Sequence, residues 1–176
     1  KGFVGVAVAL LPDMIAAELR EPIHLAISYD EEVGCLGGDQ IVKDIADLGL
    51  APRACIVGEP SSMRVITGHK SISWARVTFR GRSAHSSLTA EGLNAIEYAA
   101  RLVTFVRGIA DEWKAQGPFD AAYLIPYSTA SVNIIEGGIA VNTIPDECAV
   151  TFEFRALPSL DQQAVLDRIE AHAREL

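Results

Sequence analysis

The sequence predicts an α/β protein in two parts: helices on a mostly parallel sheet over residues 1–70, then a ferredoxin-like α+β unit over 71–176 that lacks its last strand. Three observations predict this. Up to residue 70, helix-period apolar stretches alternate with short apolar runs that end in acidic residues, as parallel strands covered on both faces do. From Ser71 the pattern changes to strict alternation and long amphipathic stripes, in the order β-α-β-β-α. The composition, 49% hydrophobic and 22% charged, is that of a chain that buries a core.

In chain order, residues 2–20 read as one helix, apolar all round to Leu11 and then amphipathic, with Glu18 and Arg20 outward. Pro12-Asp13 interrupts the apolar run that follows Lys1 too early for a membrane span, and no small-residue cleavage site ends it. The run is therefore read as a buried helix, and the chain as a piece of a longer protein. Ile23 to Tyr29 is a strand that meets Asp30-Glu31-Glu32. Ile41, Ile45 and Leu48 recur at helical spacing, and Gly49 closes that helix. Ala54 to Val57 is a short apolar strand that leads to Gly58-Glu59-Pro60. In the second part, Ser73 to Phe79 alternates, Trp74, Arg76 and Thr78 on one side and Ala75, Val77 and Phe79 on the other. A polar loop over 81–87 precedes a helix over 91–113, with Leu93, Ile96, Ala100, Val103 and Val106 on one face. Strands at Ser131–Ile135 and Glu147–Phe154 flank the turn Gly137-Gly138, and a last helix over 160–176 turns Val165, Ile169 and Ala173 inward.

Three adjacent carboxylates at a strand end repel one another. A solvated turn is the ordinary reason for such a triplet, and a bound cation is the chemical one. Glu59 ends the second strand and projects to the same edge, where open α/β sheets form ligand sites. Two acidic loops at one edge favour the cation. The net charge of −8, with no Lys/Arg run, argues against a nucleic-acid partner. Cys35, Cys55 and Cys148 are odd in number and far apart, so they read as small buried hydrophobes in a reducing, cytoplasmic setting. Ser86 and Ser87 beside His85 lack the acidic neighbour that a nucleophilic triad needs.

The runs S-Y-D-E-E-V-G-C-L-G-G (28–38), V-G-E-P-S-S (57–62), G-H-K (68–70), G-R-S-A-H-S-S (81–87), G-G-I-A-V-N-T-I-P (137–145) and F-E-F-R-A-L-P (152–158) together resemble the zinc aminoacylase/carboxypeptidase family, in order and over essentially the whole chain. The resemblance implies a metal-dependent hydrolase that removes an acyl group from an N-acylated amino acid, with N-acetylornithine favoured. Succinyl-diaminopimelate desuccinylation or carboxypeptidase/dipeptidase activity on the same scaffold is the alternative, and a non-catalytic dimerising member is the alternative of another class. Two metal ions, zinc or also cobalt, are implied for the full-length subunit. By position, Glu31 would be the general base, Glu32 and Glu59 metal ligands, and Asp30 a supporting residue. Successive residues at a strand end point to opposite sides, so Glu32 could ligate while Glu31 faces water. His85 would donate a hydrogen bond to the oxyanion in the partner subunit's site, Asn142 would hold substrate, and Arg155 would take the substrate's α-carboxylate.

His69 and Lys70 read as hinge residues, and Ser71 stands where relatives often carry Gly. The family's remaining metal ligands would precede Lys1 and follow Leu176. The chain alone should therefore hold zinc weakly and be inactive. The partners implied are a small N-acyl amino acid and a second copy joined through 71–176, with no membrane.

Overall fold

The structure, a computed structural model, describes residues 2–176; Lys1 lies outside the described residues. Contacts divide the chain between Val65 and Ile66.

The first unit is helical and extended. Helices α1 (Gly2–Ala9) and α2 (Leu11–Ala16) replace the single helix expected over 2–20. Pro12 has no N–H to give to the turn before it, and the extended Ala17 (φ −75, ψ 127) ends α2. Helix α3 (Leu36–Asp47) forms where the apolar spacing placed it. Gly49, at φ +63, donates to Ala46 O while Leu50 donates to Ile45 O, the paired bonds of a Schellman end.

The strands expected at 23–29 and 54–57 are not formed: both segments lie outside any ladder, so the parallel sheet is not present among the described residues. A strand exists only through a neighbour's N–H and C=O groups, and neither segment finds one. Their apolar side chains are accordingly exposed, Ile27 at 67% and Ile56 at 84%.

The second unit follows the expected order. Strand β1 (Ser71–Arg80) leads to the two-residue β2 (Ala84–His85) and the long helix α4 (Ala95–Gln116). Strands β3 (Thr129–Gly137), β4 (Thr143–Ile144) and β5 (Glu147–Ala156) and helix α5 (Gln162–Glu175) complete it. The main sheet is antiparallel in the order β1-β5-β3, as in a ferredoxin-like fold. One edge of β1 is unpaired among the described residues.

Alternation decides which face packs. Ala75, Val77 and Phe79 join Cys148, Val150, Phe152 and Phe154 under α4 and α5, while Trp74 on the opposite face is 68% exposed. Trp113 closes the core, its ring 6.2 Å from that of Phe154. The buried stripe of α4 runs through Ala95, Ala99, Leu102, Val106, Ile109 and Trp113; of the expected face Leu93, Ile96, Ala100, Val103 and Val106, it shares Val106, and Val103 packs at its border. Leu93 is held outside the helix by paired backbone bonds to Arg82, and the Asn94 side chain caps the first turn by accepting from Ile96 N. That start fixes the phase of the stripe. Cys148 is buried, and burial pushes its thiol pKa up, whereas Cys35 and Cys55 are exposed, contrary to the expectation for all three. His172 stacks on Phe105 with centroids 3.8 Å apart. No described helix is long and apolar enough to cross a membrane.

Candidate functional site

In the first unit the acidic triplet sits in a tight turn rather than at a strand end. Asp30 adopts left-handed backbone (φ 52, ψ 40), and Glu31–Val33 form one turn of 3-10 helix. Asp tolerates that conformation better than most residues. Its carbonyl then accepts from Leu36 N, while Glu31 O accepts from Gly34 N and Cys35 N. Gly37 is obligatory here. A Cβ on it would lie 2.7 Å from Tyr29 N, and its own N–H donates to Tyr29 O.

The opposite-sides argument for Glu31 and Glu32 therefore does not apply. In a 3-10 turn, neighbouring side chains diverge by about a third of a turn, which still separates the two carboxylates. Both are exposed, as is Glu59, and none forms an ion pair among the described residues. The Cys35 thiol lies 3.8 Å from Glu31 Oε1 as a weak donor. As to metal, carboxylates free of cationic partners suit a divalent ion as donors. However, no group of three or more His, Cys, Asp or Glu able to hold one occurs among the described residues. Glu32 and Glu59 fit as part of a donor set and do not close a site.

In the second unit the structure brings His85 and Asn142 together. The short ladder of β2 and β4 pairs His85 with Thr143, and Asn142 O accepts from Ser86 N at 2.9 Å. The His85 Nδ1 atom lies 2.8 Å from Ser87 Oγ and 3.2 Å from the Ser87 backbone N. His85 is thus held at one ring nitrogen on an exposed edge. This ladder is too short to read from periodicity, so the sequence offered only a loop.

Arg155 stands on β5, on the sheet face away from the helices, in register with Thr129 on one side and Ile72 on the other. Its Nε donates to Glu153 Oε1 at 3.2 Å, and its two Nη groups have no partner among the described residues. Glu153 was not singled out from the sequence. The spacing of two along a strand is the signal that could have found it, because such residues share a face. The main ladder's end beside Arg155 is fixed by Ser128, whose buried Oγ accepts from Leu157 N at 3.0 Å.

His69 and Lys70 lie just before β1. His69 Nδ1 donates to Lys70 O at 2.8 Å, and Lys70 Nζ donates to Tyr127 O while lying 5.9 Å from the Tyr123 ring centre. Burial pulls the Lys70 pKa below its ordinary range. Ser71 opens β1 as a regular strand residue.

Residues 67–176 match the family described as Peptidase dimerisation domain. An acetylornithine deacetylase of Myxococcus xanthus is 33% identical over 176 residues, 100% of this chain and 45% of that protein. One from Pasteurella multocida (strain Pm70) is 32% identical over 160 residues, 91% of this chain and 41% of that protein. The chain therefore spans less than half the length of these curated relatives. The crystal structure of AtUAH in complex with glyoxylate aligns with a TM-score of 0.50 at 20% identity, over 60% of this chain and 23% of that one. That last likeness concerns the fold alone.

Proposed function

This chain belongs to the peptidase dimerisation domain family, and from that premise we propose that a full-length protein carrying it is a metal-dependent amidohydrolase acting on N-acyl amino acids. N-acetylornithine, cleaved to ornithine and acetate in arginine biosynthesis, is the favoured substrate. The observation that carries the reading is that the match to the deacetylase relatives runs through both units, acidic turn and dimerisation unit alike.

The roles follow from the chemistry of each side chain. Glu31 would take a proton from the attacking water and pass it to the leaving amine. Glu32 and Glu59 would each give a carboxylate to a divalent ion. When bound, zinc or cobalt would supply Lewis acidity and a more acidic water. Asn142 would hold the substrate, and Arg155, with two free Nη groups, would take its α-carboxylate as a planar fork of donors. His85 would donate to the developing oxyanion, in the site of the other subunit of a dimer formed through the 71–176 unit. His69 and Lys70 would flex as the hinge between a metal-binding segment (1–70) and that lid. The compartment would be the cytoplasm.

The test is turnover of N-acetylornithine, N-succinyl-diaminopimelate and simple dipeptides by the full-length protein, before and after chelation. N-acetylornithine should be cleaved fastest, chelation should abolish turnover and zinc should restore it. Preference for either competitor would overturn the substrate. A metal-free, inactive preparation would point instead to a non-catalytic dimerising protein. The 176-residue chain alone should cleave none of them.

A further inference from the structure

We propose that Ser87 is a positioning residue that fixes the tautomer of His85, holding its proton on Nε2 so that this nitrogen serves as a hydrogen-bond donor. The use of that donor on an acyl oxyanion rests on the function proposed above; the tautomer itself does not.

Donors and acceptors around the ring decide the tautomer. A neutral imidazole has one N–H and one bare nitrogen, and which is which is set by the partners of each. A backbone N–H can only donate. The Ser87 N–H is directed at His85 Nδ1 at 3.2 Å, so Nδ1 must be the bare nitrogen. The Ser87 hydroxyl, 2.8 Å from the same atom, can rotate its proton toward it and reinforce the choice. The proton is then left to Nε2, which has no partner among the described residues.

The local fold makes the contact. The β2–β4 ladder fixes His85 and Ser86, with Ser86 N bonded to Asn142 O. A tight turn follows, in which Leu88 N donates to His85 O at 2.8 Å. That turn swings Ser87 back over its neighbour's ring. The serine beside the histidine thus has a task other than nucleophilic attack, and it acts through His85 rather than on the substrate.

The chain carries its own control. His69 Nδ1 faces Lys70 O at 2.8 Å, and a carbonyl only accepts. His69 must therefore carry its proton on Nδ1, the opposite tautomer to His85.

The experiment is nitrogen-15 NMR of the ring nitrogens in the uniformly labelled 176-residue chain, at a pH of about 8 where ordinary imidazoles are neutral. The His85 signals are assigned by their loss in His85→Ala. The expected result is a bare, pyridine-type Nδ1 and a protonated Nε2 at His85, with the reverse at His69. Ser87→Ala removes the hydroxyl but keeps the backbone N–H, so it should move the His85 signals only part of the way toward the average of two tautomers, and Ser87→Thr should restore them. A protonated Nδ1 at His85 would overturn the proposal, as would a Ser87→Ala spectrum identical to the wild type.

In the full-length protein, Ser87→Ala should lower kcat by no more than about 2-fold with KM unchanged, because even an equal mixture of tautomers leaves half of the molecules with the donor on Nε2. Ser87→Thr should recover most of it. Full turnover in His85→Ala would remove the oxyanion role while leaving the tautomer assignment standing, so the two failures are distinct.

Discussion

Replacing Ser128 by alanine removes a single oxygen and should measurably loosen the second unit. Ser128 is fully buried, and its Oγ is the acceptor for the N–H of Leu157, itself 1% exposed. In Ser128→Ala no water can reach that N–H, so the amide bears the desolvation penalty of an unsatisfied buried donor, about 1–3 kcal/mol. At about 4 °C per kcal/mol for a unit of this size, the melting temperature should fall by about 4–12 °C. The assay is thermal unfolding of the chain followed by near-ultraviolet circular dichroism of Trp113, which is buried against Phe154. Ser71→Ala is the comparison, because the Ser71 hydroxyl is only partly buried and makes a long 3.4 Å bond to Ala156 O. It should shift stability by less than about 0.5 kcal/mol. Amide exchange at Leu157 should also accelerate in Ser128→Ala and not in Ser71→Ala. Equal melting of the two variants, or unchanged protection at Leu157, would refute the reasoning. The effect should reach the site, since Thr129 follows Ser128 and pairs with Arg155 at the last rung of the ladder.

Three further outcomes are expected. Asp161 caps α5 by accepting from Gln163 N and Ala164 N, so Asp161→Ala should cost about 1 kcal/mol in urea unfolding. The hydrogen bond from Arg168 holds the Glu112 carboxyl below its usual range, so the pair stabilises the fold above the ordinary glutamate range and stops doing so as pH falls through the depressed folded value. Glu112→Gln should accordingly be less stable at neutral pH and lose its deficit in acid. With both side chains nearly half exposed, at 48% and 41%, solvent screening keeps the neutral-pH difference under about 1 kcal/mol. Glu153→Ala frees the Arg155 Nε, and if that arginine reads a substrate carboxylate, KM in the full-length protein should rise about 3- to 10-fold with kcat unchanged. Glu153→Gln, which keeps an acceptor oxygen, should lie between the two.

The sequence made the second unit legible because its signals are local. The alternation of Ser73 to Phe79 appears as the in-and-out burial of β1, and Val165, Ile169 and Ala173 turn inward on α5 as their spacing implied. The phase of α4 differs from the expected one at its first turns, where Leu93 and Ile96 are exposed, because its start depends on Leu93 bonding to Arg82, a pairing that no periodicity encodes. In the first unit, the runs 23–29 and 54–57 have strand composition, yet a strand is a property of pairs and neither run has a partner here. The motif residues could be named from the sequence, but their supports could not. Ser128 serves Leu157 29 positions away, and the β2–β4 ladder that sets His85 beside Asn142 is two residues long.

The unpaired edge of β1 has a consequence for recognition. Ten residues of backbone present alternating N–H and C=O groups that any extended peptide could match. Discrimination comes from the pleat. The helix-side face of β1 opens onto a groove of about 550 Å³ lined by Ala75, Val77, Phe79, Leu166 and Ile169 together with the polar Gln163, Glu170 and Arg174. An incoming strand in the right register sends its apolar side chains into that groove, and the same strand slipped by one residue sends them to water. A strand added at this edge would therefore be selected by the parity of its hydrophobic pattern.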